Sequence, residues 1–159
     1  GGCIFNFMAQ VPDWHRYFLE ICRVVATRSK DPATQIGCAI VGPAHEIRST
    51  GYNSLPRHVR DDVPERLERP TKYLWIEHAE RNAIYNAARA GTSLEGCTLY
   101  AELTPCMDCA RAIVQAGIVE VVLNEDRVKK YSSEQYNPHF ALVDELFGEA
   151  GVKMRQVKP

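Results

Sequence analysis

The chain has 159 residues, 45% of them hydrophobic and 25% charged, with a net charge of −1 at pH 7. That is the size and composition of one ordinary soluble domain, able to bury a core without covalent staples. The near-neutral balance argues against duplex nucleic acid or tRNA as a partner but leaves room for a local basic pocket. No apolar run approaches the roughly 18 residues that would argue for a membrane span. Six cysteines are present: Cys3, Cys22, Cys38, Cys97, Cys106 and Cys109. Their even number could serve disulfides. No secretory pattern accompanies them, however, and a domain of this size needs no bridges, so a reducing cytoplasm is the expected compartment. Residues 1–7 read as a cloning remnant or upstream extension before a natural start at Met8, and residues 8–159 as a single domain.

In chain order, Asp13 is a good N-cap. Trp14, Phe18, Ile21, Cys22 and Val25 then recur at helical spacing, which predicts a helix over residues 13–28. Asp31-Pro32 ends it. Residues 35–41 are apolar and partly β-branched, Gly42-Pro43 turns the chain, and residues 45–52 supply an antiparallel partner. Residues 53–72 form a long polar connection with Pro56, Pro64 and Pro70, either a solvated lid or a phosphate-contacting loop. A helix over 77–90 ends at Gly91. A strand follows over 97–103, and a helix opened by Thr104-Pro105 runs to Ala116. Residues 118–123 are a short strand. Asn137-Pro138 opens a last helix to Ala150, and residues 152–157 make a final strand. The order α-β-β-α-β-α-β-α-β predicts parallel pairing in the second half, with helices on both faces of the sheet.

Two segments carry chemistry. His78-Ala79-Glu80 begins one helix, and Pro105-Cys106-Met107-Asp108-Cys109 begins the next. Cys106 and Cys109 are spaced i and i+3, so both sulfurs share one face of a first turn, where the helix dipole favours thiolates. Together with His78 they offer three ligands to zinc. The fourth tetrahedral place is left to water, which marks a catalytic site. The metal acidifies that water into a nucleophile, and Glu80 is placed to shuttle its protons. One alternative is a closed zinc knot with a fourth ligand from Cys97, Cys38 or another histidine, which would give Glu80 no task. Another is that Glu80 merely complements the helix dipole.

His-x-Glu followed by Pro-Cys-x-x-Cys is the pattern of zinc nucleobase deaminases. With these residues the chain resembles the cytidine/deoxycytidylate deaminase superfamily, and within it the zinc-dependent dCMP deaminases, from about residue 29 to residue 122. Ser29-Lys30-Asp31-Pro32 before Gly37 matches that family's S-K-D-P segment. Gly51-Tyr52-Asn53-Ser54-Leu55-Pro56 matches its G-Y-N-G-x-P, and Ile113-x-Gln115-Ala116-Gly117-Ile118 its I-I-Q-A-G-I. The resemblance implies a three-layer α/β/α sandwich around a five-stranded mixed sheet. It implies a hydrolase that converts dCMP to dUMP and ammonia, with one catalytic Zn2+ and a homo-oligomer, dimer or hexamer. It also implies dCTP/dTTP regulation, with Mg2+ accompanying the regulatory nucleotide; Ser54, in place of the family's second glycine, bears on that site.

By the same resemblance Asn53 contacts the sugar or base, and Thr104, with Leu103, cradles the ring. Glu102 is either part of that wall or a solvated strand-end acid. Lys30, Arg57, His58 and Arg60 are the candidates for the 5′-phosphate. Tyr131 and Tyr136 are either an aromatic lid or packing residues. Two other readings stay open: the same machinery acting on another nucleoside, nucleotide or base, and a non-catalytic zinc module.

Overall fold

Asp13 does cap the first helix: its carboxylate accepts the Arg16 N–H at 2.9 Å, and α1 runs over Trp14–Ala26. The computed structural model describes residues 8–131 and 138–159. After α1 come β1 (Gly37–Val41), β2 (Ile47–Tyr52), a 3-10 turn (Pro64–Leu67), α2 (Lys72–Trp75) and α3 (Ala79–Ala90). Then follow β3 (Thr98–Ala101), α4 (Met107–Gln115), β4 (Glu120–Asn124), α5 (Glu125–Tyr131), α6 (Phe140–Ala150) and β5 (Lys153–Val157). No described helix is long and apolar enough to cross a membrane. The expectations for residues 1–7, for Tyr136 and for Asn137 as a helix opener lie outside the described residues.

The strands form one sheet in the order β2-β1-β3-β4-β5. β1 pairs antiparallel with β2 and with β3, whereas β3–β4 and β4–β5 are parallel. The sheet is therefore mixed, as expected from a hairpin followed by strand-helix-strand units. Strand alternation divides the core in two. Cys38, Ile40, Leu99, Ala101, Val121 and Leu123 face α3, α4 and α6. Ala39, Val41, Tyr100 and Val122 face α1 through Phe18, Leu19 and Cys22. The three layers are thus unequal, with three helices on one side and a single long one on the other.

Two glycines allow this close packing. A Cβ on Gly37 would collide with the Cys22 carbonyl of α1, and one on Gly51 would collide with the Ala79 carbonyl and Ala83 N–H of α3. α3 is also tied to β2 by its own polar face. Asn82 Nδ2 donates to the Tyr52 carbonyl at 2.8 Å, and Asn86 Nδ2 to the Thr50 carbonyl at 2.7 Å. These bonds set the position of the helix start that carries His78 and Glu80.

Two helices depart from the sequence expectation. α2 is a single turn with exposed Tyr73 and Leu74, too short to show a period. α5 follows β4 without a loop. Asn124 Oδ1 accepts the Arg127 N–H at 3.1 Å, Glu125 and Asp126 occupy the first turn, and Lys129 and Lys130 the last. That cap and charge order was a readable helix signal.

Candidate active site

Two helix starts converge. His78 is the N-cap residue of α3 and Cys106 that of α4, both with extended backbone. Cys106 therefore sits one position earlier than expected, just outside the first turn, and Pro105 precedes the helix. The cap and Cys109 still share a face. His78 Nδ1 lies 3.5 Å from Cys106 Sγ and 3.5 Å from Cys109 Sγ. In a tetrahedron with ordinary Zn–N and Zn–S bonds, the edge between a nitrogen and a sulfur is about 3.6 Å. The triad thus has the donor chemistry and spacing of a zinc site. Among the described residues it is the group of three able to hold a metal, with no fourth histidine or cysteine joining it. Cys38 and Cys97 are buried in the core between the sheet and its helices instead, which removes the closed knot they were to complete.

The triad is arranged for a cation. Hydrogen bonding from the Cys109 thiol, and then from His78, pulls the Cys106 pKa down to about 3, against the cost of burial. The same thiol contact, with burial, pushes Cys109 far above the ordinary cysteine range. Metal binding requires the thiols to be deprotonated, so a bound dication would displace their protons. The Cys106 contact raises His78.

Glu80, in the first turn of α3, is 5% exposed. Its Oε2 lies 3.4 Å from Cys109 Sγ. Burial pushes its pKa up and His78 pulls it down. The net shift is upward, toward the range in which a carboxyl can both take and give a proton. Sequence reading missed Arg81. Its Nη1 lies 3.5 Å from Cys109 Sγ and 3.8 Å from Cys106 Sγ, and it pairs with Glu77. Placed four residues after Glu77, it was legible as a helical ion pair but not as a partner of the sulfurs.

A cavity of about 420 Å3 opens beside the triad, within the range of small-molecule sites. His78, Glu80, Cys106, Thr104, Leu103 and Asn53 all line it. Asn53 is fixed there: its Oδ1 accepts the Ile36 N–H and its Nδ2 donates to the Thr34 carbonyl, each at 2.9 Å. One amide hydrogen remains for another acceptor.

Other expectations are redirected. Lys30, Arg57 and His58 line an adjoining cavity of about 270 Å3 and not the one beside the triad. Lys30 is paired with Asp61, and Arg57 donates to Asn86 Oδ1 at 2.5 Å. Arg60 pairs with Asp62 on the surface. The end of the long connection and α2 supply Arg69, Lys72, Tyr73 and Ile76 to the cavity wall instead. Lys72 is buried, its Nζ 3.1 Å from Asp31 Oδ2. Glu102 is neither solvated nor in the wall: it is fully buried on the α1 side of the sheet. Tyr131 lies under the Arg127 guanidinium, in a separate cleft.

Known proteins resemble this chain in sequence and in fold. The profile of the cytidine and deoxycytidylate deaminase zinc-binding region matches residues 12–125. The deoxycytidylate deaminase of Homo sapiens is 40% identical over 152 residues, covering 92% of this chain and 81% of that protein. The probable deoxycytidylate deaminase of Drosophila melanogaster is 35% identical over 156 residues, covering 92% and 73%. In fold, the chain is similar to the dCMP deaminase of cyanophage S-TIM5 solved with dCMP and dUMP, with a TM-score of 0.71 at 19% identity, over 94% of this chain and all of that one. With the profile match spanning both helix starts of the triad, the chain belongs to the cytidine and deoxycytidylate deaminase family of zinc-binding enzymes.

Proposed function

We propose that this protein hydrolyses dCMP to dUMP and ammonia, with His78, Cys106 and Cys109 holding zinc and Glu80 carrying the protons. The observation that carries the reading is the tetrahedral spacing of the triad beside a buried, otherwise weakly partnered carboxyl at one end of a nucleotide-sized cavity. The identity to deoxycytidylate deaminases supports dCMP over other cytosine compounds.

Zinc, when bound, supplies Lewis acidity that makes a water nucleophilic near neutral pH. As carboxylate, Glu80 accepts a proton from the attacking water. As acid, it gives that proton to the ring nitrogen. It then takes the proton of the newly added hydroxyl and delivers it to the departing amine, so that the C–N bond breaks, the carbonyl forms and water and dCMP leave as dUMP and ammonia. Arg81 offsets the sulfur charge from outside the cavity, steadying both ligands. Thr104 and Asn53 flank the space for the ring and sugar, and Asn53 has its orientation set by the backbone of residues 34–36.

The adjoining cavity, with Ser54 in its wall, is where a regulatory nucleotide and its Mg2+ would be received. Exposed Tyr73, Leu74 and Tyr85 offer apolar surface to a second copy in a homo-oligomer. A reducing cytoplasm suits the free thiols of Cys106 and Cys109.

The test is ammonia release from dCMP, CMP, dCTP, deoxycytidine and cytosine, with zinc quantified in the same preparation. The expected result is one zinc per chain and the highest kcat/KM on dCMP. Clear turnover of another compound with none of dCMP would overturn the substrate assignment.

A further inference from the structure

A nucleotide brings a phosphate dianion into a cavity that already holds two acids, Asp31 and Glu80. Some cation in the wall has to meet it. Besides His78 at the metal end, the cavity is lined by two basic side chains, Arg69 and Lys72. Lys72 is committed: its buried ammonium lies 3.1 Å and 3.5 Å from the two Asp31 oxygens. Asp31 in turn accepts the Ala33 N–H at 2.8 Å and the Thr34 N–H at 3.2 Å, so the pair is anchored to the loop before β1. Arg69 is different. It is exposed, and among the described residues its guanidinium has no hydrogen bond and no ion pair.

We infer that Arg69 is the residue that receives the 5′-phosphate and makes this enzyme select a nucleotide over its nucleoside. The inference rests on the dCMP reading above. The cations nearest the matched sequence segments, Lys30 and Arg57, are already satisfied by Asp61 and Asn86 in the adjoining cavity. A free guanidinium offers a planar fork that matches two phosphate oxygens, which an ammonium does not. Lys72 and Asp31 act as positioning residues for the turn that carries Arg69: the Lys72 N–H also bonds the Glu68 carbonyl at 2.7 Å, closing residues 68–72.

The experiment compares the unsubstituted protein with Arg69→Gln, Arg69→Lys, Lys30→Gln and Arg57→Gln, each zinc-loaded. It measures kcat/KM on dCMP and on deoxycytidine, and calorimetric affinity for dUMP and for deoxyuridine. Arg69→Gln is expected to raise KM for dCMP and weaken dUMP by about 10- to 100-fold, the range for one charge-assisted contact. The nucleoside values should stay within about threefold, and Arg69→Lys should fall between. Equal losses on nucleotide and nucleoside, or an undiminished nucleotide preference in Arg69→Gln, would overturn the inference. So would a selective nucleotide loss in Lys30→Gln or Arg57→Gln with none in Arg69→Gln. No turnover of dCMP by the unsubstituted protein defeats the substrate reading itself, and with it the inference.

Discussion

Two carboxylates are buried on opposite sides of the same sheet, and their surroundings could hardly differ more. On the α1 side, Glu102 has no exposure at all. Its Oε1 accepts the Gly37 N–H at 2.7 Å, and its Oε2 lies 2.5 Å from Arg23 and 3.2 Å from Arg127. On the α3 side, Glu80 is almost as buried, but the side-chain contact it makes is a thiol at 3.4 Å. A carboxylate surrounded by two guanidiniums and an amide ties α1, β1, β3 and α5 together. A carboxyl with a cavity in front of it keeps a place for a proton that comes and goes. Burial alone therefore does not single out a candidate proton carrier; burial beside open space and a metal-competent triad does.

Changes on the two sides should separate chemistry from stability. The largest effect is expected from Cys109→Ala, which removes a ligand from the α3 side. Zinc content measured by elemental analysis should fall to background and ammonia release with it, as it should after chelation of the unsubstituted protein. Next, Glu80→Gln keeps the shape and loses the proton carrier. We expect kcat to fall by about 10³-fold, equivalent to about 4 kcal/mol, with zinc still stoichiometric. Unchanged turnover would erase the distinction between the two acids.

Glu102→Ala should behave in the opposite way. Two guanidiniums lose their shared partner, one of them partly solvated, so denaturant unfolding should show a loss of about 3 kcal/mol. The kcat of the folded protein should stay within a few-fold; a collapse of kcat at unaltered stability would make Glu102 the functional acid. The smallest effect is assigned to Arg81→Gln. It should weaken zinc binding about 10- to 100-fold in competition with a chelator, the range for partners of metal ligands, and leave kcat of the saturated enzyme nearly unaltered.

The two cysteines of the triad were legible as a pair because their spacing is short-range. Cys106 and Cys109 are one turn apart whatever surrounds them, and each helix start is announced by local residues. Most of the elements were legible for the same reason, through Asp13 as a cap, Gly91 as a stop and the apolar strands. α5 carried its own cap and charge signals in Asn124, Glu125 and Lys129. Glu102 could not be read: a single acid after a strand looks the same whether it faces water or two arginines from α1 and α5, some 80 residues before it and 25 after it.

The long connection shows where local reading ends. Its basic residues are alike in sequence, yet the fold turns Arg57 toward one cavity, where it meets Asn86, and Arg69 and Lys72 toward another. By itself the sequence determined most of the elements, the candidate ligand types, the candidate acid beside them and the family. Those depend on residue chemistry and on spacing within a turn. Only the tertiary structure decided that His78 meets the cysteines at 3.5 Å, that Glu102 serves the framework, and which cation is left unpaired to face the cavity. Such facts depend on which distant segments the sheet order and the glycine contacts bring side by side, and on how their charges cancel once there.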